Sequence, residues 1–63
     1  MKGATLKKAR EKFGITQHTL ASISGVGRYV ISMIETGHRP IKKKEVEIFK
    51  NVFSRLKEEN KKA

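Results

Sequence analysis

The chain has 63 residues, carries 15 basic against 6 acidic side chains for a net charge of +9, and contains no cysteine. A chain this short buries only about 60% of the surface its unfolded form exposes, which supports one modest core and excludes a deep two-domain catalytic cleft. Without cysteine there is no disulfide framework or thiolate metal cage, and His18 and His38 alone are too few to hold zinc.

Leu6, Ala9 and Phe13 recur at helical spacing with charged residues between them, which predicts an amphipathic helix over residues 5–13, capped by Thr5 and stopped by Gly14. Thr16 can cap a second, short helix whose apolar face is Leu20, Ala21 and Ile23 and whose end is Gly25. Gly27 can open a third through Glu35, with Val30, Ile31 and Ile34 at helical spacing and Gly37 as its stop; His38, Arg39 and Pro40 then form a turn. From about Lys42 to Asn60 there is no Gly or Pro, and Val46, Phe49, Phe53 and Leu56 share one helical face, widened by Ile48 and Val52. Such a helix is roughly 28 Å long, more than three short helices can cover, so its later turns are expected to find a second copy or another partner. Asn60 to Ala63 are polar and expected to fray. No period-2 run supports a strand. The expectation is a single all-α domain over residues 1–63, a compact helical bundle of three short helices plus one long C-terminal helix.

The longest uninterrupted apolar stretch is Tyr29 to Ile31, so neither a signal peptide nor a membrane span is expected. A pI near 10.3 points to a polyanionic partner, nucleic acid first and an anionic membrane surface second. The charge is uneven. Residues 1–12 carry +4 and residues 39–50 carry +3, whereas residues 16–35 hold only Arg28 and Glu35 and are neutral. A neutral middle between basic arms suits a reader of base edges held by phosphate contacts, although ordinary solvated lysines would also give it.

The segment Gln17 to Thr36, QHTLASISGVGRYVISMIET, has a mechanical logic. Ala21 is small where two helices crossing at roughly 90–120° bring their backbones close. Gly25 permits positive φ at the sharp turn between them. Val26, Ile31 and Ile34 face inward, which leaves Arg28, Tyr29, Ser32 and Met33 on the opposite face, where a helix fits a major groove.

With Thr16, Gln17, Leu20, Ala21, Gly25, Val26, Ile31, Ser32, Ile34, Glu35 and Gly37 in place, the chain resembles the phage repressor and Cro type of helix-turn-helix protein, also called the Xre family. The typical run of that family is similar to T-Q-x-x-L-A-x-x-x-G-V-x-x-x-x-I-S-x-I-E-x-G. The resemblance implies a lambda repressor-like DNA-binding domain and covers about residues 4–41. It places Gln17 at the start of the first motif helix, touching the phosphate backbone, and gives Gly27, Arg28, Tyr29, Ser32 and Met33 the base-facing positions, of which Gly27 offers only its backbone. Arg28 can hold guanine O6 and N7 in bidentate fashion or contact a phosphate. Tyr29 can meet a thymine methyl or a phosphate, Met33 a thymine methyl, and Ser32 either a base or a phosphate. Arg10 and Glu35 resemble a structural ion pair tying the first helix to the end of the recognition helix. Arg39, Lys42, Lys43 and Lys44 follow that helix where the family's loop touches phosphates; successive helical residues rotate by about 100°, so one or two of the three lysines can face DNA.

The chain departs from the family at three places. Gly27 stands where Ser or Thr usually caps the recognition helix, Ser24 stands where a larger apolar residue is common with Ile23 beside it, and one long basic helix replaces two short ones. In that helix Ile48, Val52, Phe53 and Leu56 are the candidate dimer interface.

These features lead to a sequence-specific regulator of double-stranded DNA, a Cro-like repressor acting as a homodimer on a pseudo-palindromic site, in the cytoplasm at the nucleoid. The competing reading is an antitoxin-like or accessory module whose C-terminal helix binds another protein, with DNA binding for autoregulation. A membrane-surface role for residues 42–62 is weaker, because Phe49 and Phe53 are better used in packing. No paired acid and base, glycine-rich phosphate loop or metal constellation supports an enzyme, and no cofactor or small-molecule ligand is expected.

Overall fold

The computed structural model describes the backbone of residues 1–62 and the side chains of residues 1–59. Four helices follow in order: α1 (Gly3–Lys12), α2 (Gln17–Ser24), α3 (Arg28–Glu35) and α4 (Lys43–Lys62). Helix α3 packs against both α1 and α2, and α4 lies on α2, so the molecule measures 36 × 20 × 18 Å with α4 along its length.

One core joins them. Leu6 from α1, Leu20 from α2, Ile31 and Ile34 from α3, and Phe49 and Val52 from α4 are buried, with Ile15, Val26, Val30 and Ile41 packed around them. Each fully buried aliphatic or aromatic side chain contributes about 1.5–3 kcal/mol, and all four helices supply at least one. Phe13, just after α1, stacks on Phe53 of α4 with ring centroids 5.6 Å apart and planes 7° from parallel.

Helix α1 begins earlier than the composition indicates. Its N-cap is Lys2, whose carbonyl accepts the Leu6 N–H at 3.0 Å, and Thr5 lies exposed in the first turn instead of capping it. The early start depends on Gly3: a Cβ there would overlap the carbonyl oxygen of Ile34, so only glycine lets this end of α1 lie against the end of α3. Thr16 caps α2 as its position predicts, its hydroxyl accepting the Thr19 N–H at 3.1 Å. Helix α4 continues past Asn60 to Lys62 because no breaker interrupts it. Ala63, the last of the residues expected to fray, lies outside the described residues.

Of the four residues assigned to a dimer interface, three are used inside the protomer. Val52 is buried in the core, while Phe53 and Leu56 are half-buried and packed against it. Only Ile48 remains exposed. The apolar stripe of α4 is about 160° wide, and the core takes the side holding Phe49 and Phe53.

Candidate nucleic-acid interface

Helix α2 ends at Gly25 in the left-handed conformation, φ 75°, its N–H bonded to the Ala21 carbonyl at 3.0 Å. Ser24 tightens the turn: its hydroxyl accepts the Val26 N–H at 3.2 Å. That hydrogen bond is the physical use of a serine where a larger apolar residue was expected. Ile23 does not replace the missing apolar group, since it points outward and is 49% exposed. Val26 then packs toward the core and Gly27 opens α3 with no side-chain cap.

The two faces of α3 separate cleanly. Ile31 and Ile34 are buried, and Val30 is half-buried against the core. At about 100° per residue, positions 28, 29, 32 and 33 fall on the opposite side. Arg28 and Tyr29 are exposed there, Tyr29 to 78%, and Ser32 and Met33 are half-buried beside them. A tyrosine left this open in a molecule with so small a core is spare apolar and hydrogen-bonding surface. The end of the helix is fastened: the Thr36 hydroxyl donates toward the carbonyls of Ser32 at 2.9 Å and Met33 at 3.2 Å, and sits 2.8 Å from Nδ1 of His38.

The orientation of α3 is set from behind by Glu35. Arg10 reaches it through Nε–H to Oε2 at 2.8 Å and through Nη2 to Oε1 at 3.1 Å, and gives its Nη1 to the Ile15 carbonyl at 2.8 Å. Gln17 donates its side-chain amide to Oε1 of the same carboxylate at 3.1 Å. Three helices thus meet on one carboxylate that is 2% exposed. Hydrogen bonding to Glu35 raises the Arg10 guanidinium above its ordinary pKa against the cost of burial. The side chain of Gln17 is turned inward to this network, and what α2 offers outward at that position is its backbone N–H and the positive end of its dipole.

Arg39 is also committed. It forms a two-pronged pair with Glu45, Nη1 to Oε1 at 2.9 Å and Nη2 to Oε2 at 3.0 Å, while Glu45 Oε1 accepts the Lys42 N–H at 2.9 Å. These bonds hold the Glu45 carboxyl below the usual glutamate range, the Arg39 hydrogen bonds being the largest cause. Glu45 was not singled out from the sequence. The available signal was a glutamate three residues after a helix N-cap, hidden because the N-cap position is a lysine. Lys42, Lys43 and Lys44 are all exposed beside this staple.

A helix-turn-helix family model matches residues 6–53, which is 48 of the 63 residues. The chain belongs to the Xre-type helix-turn-helix family. No curated protein and no solved structure gave a significant match. As a member of this Xre-type family the chain is a DNA-binding transcription regulator. Among the described residues no group of three or more His, Cys, Asp or Glu is placed to hold a metal ion. Among the same residues, no helix is long and apolar enough to cross a membrane.

Proposed function

We propose that this Xre-type regulator reads a specific double-stranded sequence by inserting α3 into the major groove, as a Cro-like repressor binding a pseudo-palindromic operator as a homodimer. The observation that carries the reading is the division of α3 into a buried face of Ile31 and Ile34 and an open face of Arg28 and Tyr29 bordered by Ser32 and Met33. Arg28 takes guanine O6 and N7, Tyr29 and Met33 meet thymine methyls, Ser32 serves a base or a phosphate, and Gly27 lets the backbone approach closely. Phosphates are held by the backbone N–H at Gln17 and by Lys42 and Lys43. Arg39, expected at a phosphate, is instead paired with Glu45, and its part is to orient the loop that carries Lys42 and Lys43. Nothing in this reading requires a cofactor or small ligand, and a cytoplasmic place at the nucleoid goes with it.

Selection of bound sites from a random oligonucleotide pool tests this. The expected product is a pair of inverted half-sites about 34 Å apart, one turn of duplex. Recovery of sequences with no preference above about tenfold would defeat specific recognition.

The accessory reading, in which α4 docks on a different protein, draws on the exposure of Ile23 and Ile48. It competes for the same surface as the homodimer, and sedimentation of the chain alone separates the two: a clean homodimer at micromolar concentration counts against the accessory reading.

A further inference from the structure

Thr36, the residue that follows α3, lies one turn beyond Ser32 and Met33, so it sits at the far end of the open face of that helix. Its hydroxyl has a single proton and three neighbours: the carbonyl oxygens of Ser32 at 2.9 Å and Met33 at 3.2 Å, and Nδ1 of His38 at 2.8 Å. A carbonyl can only accept, so the hydroxyl proton points at the backbone and Nδ1 has to be the donor. A second bond, from the His38 N–H to the Met33 carbonyl at 2.9 Å, ties the same residue to the same end of the helix. The consequence is a fixed tautomer. When the imidazole is neutral its proton is on Nδ1, and Nε2, on the far side of this exposed ring, carries a lone pair. Only a second proton turns Nε2 into a donor.

We propose that His38 is a pH-dependent phosphate contact, holding the DNA backbone through Nε2–H in its protonated form and releasing it when neutral. A neutral histidine of the other tautomer offers Nε2–H to a phosphate at any pH; Thr36 removes that option, which makes the contact conditional on charge. The surroundings suit an anion. Lys42, Lys43 and Lys44 are exposed in the segment that follows, and from the α1 side Met1 and Lys2 border the loop at Gly37 and Arg39. The carboxylates nearest along the chain are engaged elsewhere, Glu35 by Arg10 and Gln17, and Glu45 by Arg39 and the Lys42 N–H, so neither holds the imidazolium ahead of a phosphate. The proposal rests on the DNA reading above and adds its regulation. Acidification through the range where histidine changes charge tightens binding to cognate and random sequences alike, because a phosphate contact carries no sequence information.

Fluorescence anisotropy of the full chain with a selected and a scrambled duplex, at about 0.1 M salt and from about pH 7.5 to about pH 5.5, tests it. This range stays above the one in which Glu45 loses its charge, so the Arg39 pair is intact throughout. One added charge per protomer is expected to tighten both duplexes about five- to tenfold and to steepen the log affinity against log salt plot by about 0.9. His38→Gln removes the gain, and His18→Gln, which removes the other imidazole, keeps it. Thr36→Val keeps His38 but lets the neutral ring offer Nε2–H, so binding at about pH 7.5 rises and the gain shrinks. In the free protein, long-range nitrogen–proton correlation at about pH 8 shows His38 protonated at Nδ1. A neutral ring protonated at Nε2, or an acid gain that survives His38→Gln, overturns the proposal. A parent that binds both duplexes without pH dependence also overturns it and leaves the DNA reading standing. Loss of all duplex binding at every pH removes the DNA reading itself, and the proposal with it.

Discussion

Arg10 and Glu35 meet across the junction of α1 and α3 with two hydrogen bonds, at 2.8 and 3.1 Å, and Gln17 adds a third to the same carboxylate from α2. The arrangement fixes the angle at which α3 leaves the body of the protein. Its energetic weight lies in what remains when one partner goes. Glu35→Ala leaves a nearly buried guanidinium and a side-chain amide unmatched, and is expected to cost about 3 kcal/mol. Replacing both partners, Arg10→Met with Glu35→Leu, should cost less than Glu35→Ala alone. Urea denaturation of the three proteins reads both values. A loss under about 1 kcal/mol for Glu35→Ala would show that water already compensates the pair.

Gly3 has a steric role that its neighbours do not share. Its missing Cβ leaves room for the Ile34 carbonyl, a backbone atom that cannot rotate away. Gly3→Ala should therefore cost about 1–3 kcal/mol, although alanine is the better helix former by about 1 kcal/mol. A thermal melt distinguishes the two effects by sign: destabilisation is expected, and stabilisation would mean that α1 does not press against α3.

Much of this fold is legible in the sequence. The periodicity of Leu20, Ile31, Ile34 and Phe49, the glycines at the turns and the Thr16 cap give the elements, because each is a local physical requirement. What the pattern does not specify is which side of a broad apolar stripe a neighbouring helix will cover. Val46, Ile48, Phe49, Val52, Phe53 and Leu56 qualify equally by hydropathy, yet packing buries Phe49 and Val52 and leaves Ile48 open. The outward positions of α3, at 28, 29, 32 and 33, come through because its inward residues define them by exclusion. The commitment of Gln17 to Glu35 joins residues 18 apart, which no local spacing announces; that of Arg39 to Glu45 is local, six residues apart, but is masked because a lysine occupies the N-cap position before Glu45.

The Arg39–Glu45 staple makes stability depend on pH in a direction its bonding dictates. The Glu45 carboxyl is held below its ordinary value, so the stabilisation is present above the unfolded glutamate pKa of about 4.3 and is lost as pH falls through the lower, folded value. Glu45→Gln should be about 0.5–1 kcal/mol less stable than the parent at pH 7. The gap should narrow below about pH 4, where the parent carboxyl protonates. Paired denaturation series from pH 7 to strongly acid conditions check this, and a gap independent of pH would remove the charge from the explanation.

Base contacts and phosphate contacts respond differently to substitution. Arg28→Ala should flatten sequence preference at one position of the half-site, a loss of about 1–3 kcal/mol of discrimination. Lys43→Ala should weaken cognate and random duplexes alike and lower the steepness of the log affinity against log salt plot by about 1 per protomer. Both side chains are exposed, so neither substitution should alter the fold. Titrations against cognate and scrambled duplexes at several salt concentrations give the two quantities. Equal loss of preference from both variants would contradict the separation of roles.

The measurement that bears most directly on the account is amide and side-chain chemical-shift mapping of the protein titrated with its selected duplex. The perturbations should centre on the open face of α3, at Arg28, Tyr29, Ser32 and Met33, with weaker shifts at Gln17, Lys42 and Lys43. A titration that leaves residues 27–33 unmoved while another surface responds would contradict major-groove reading by α3.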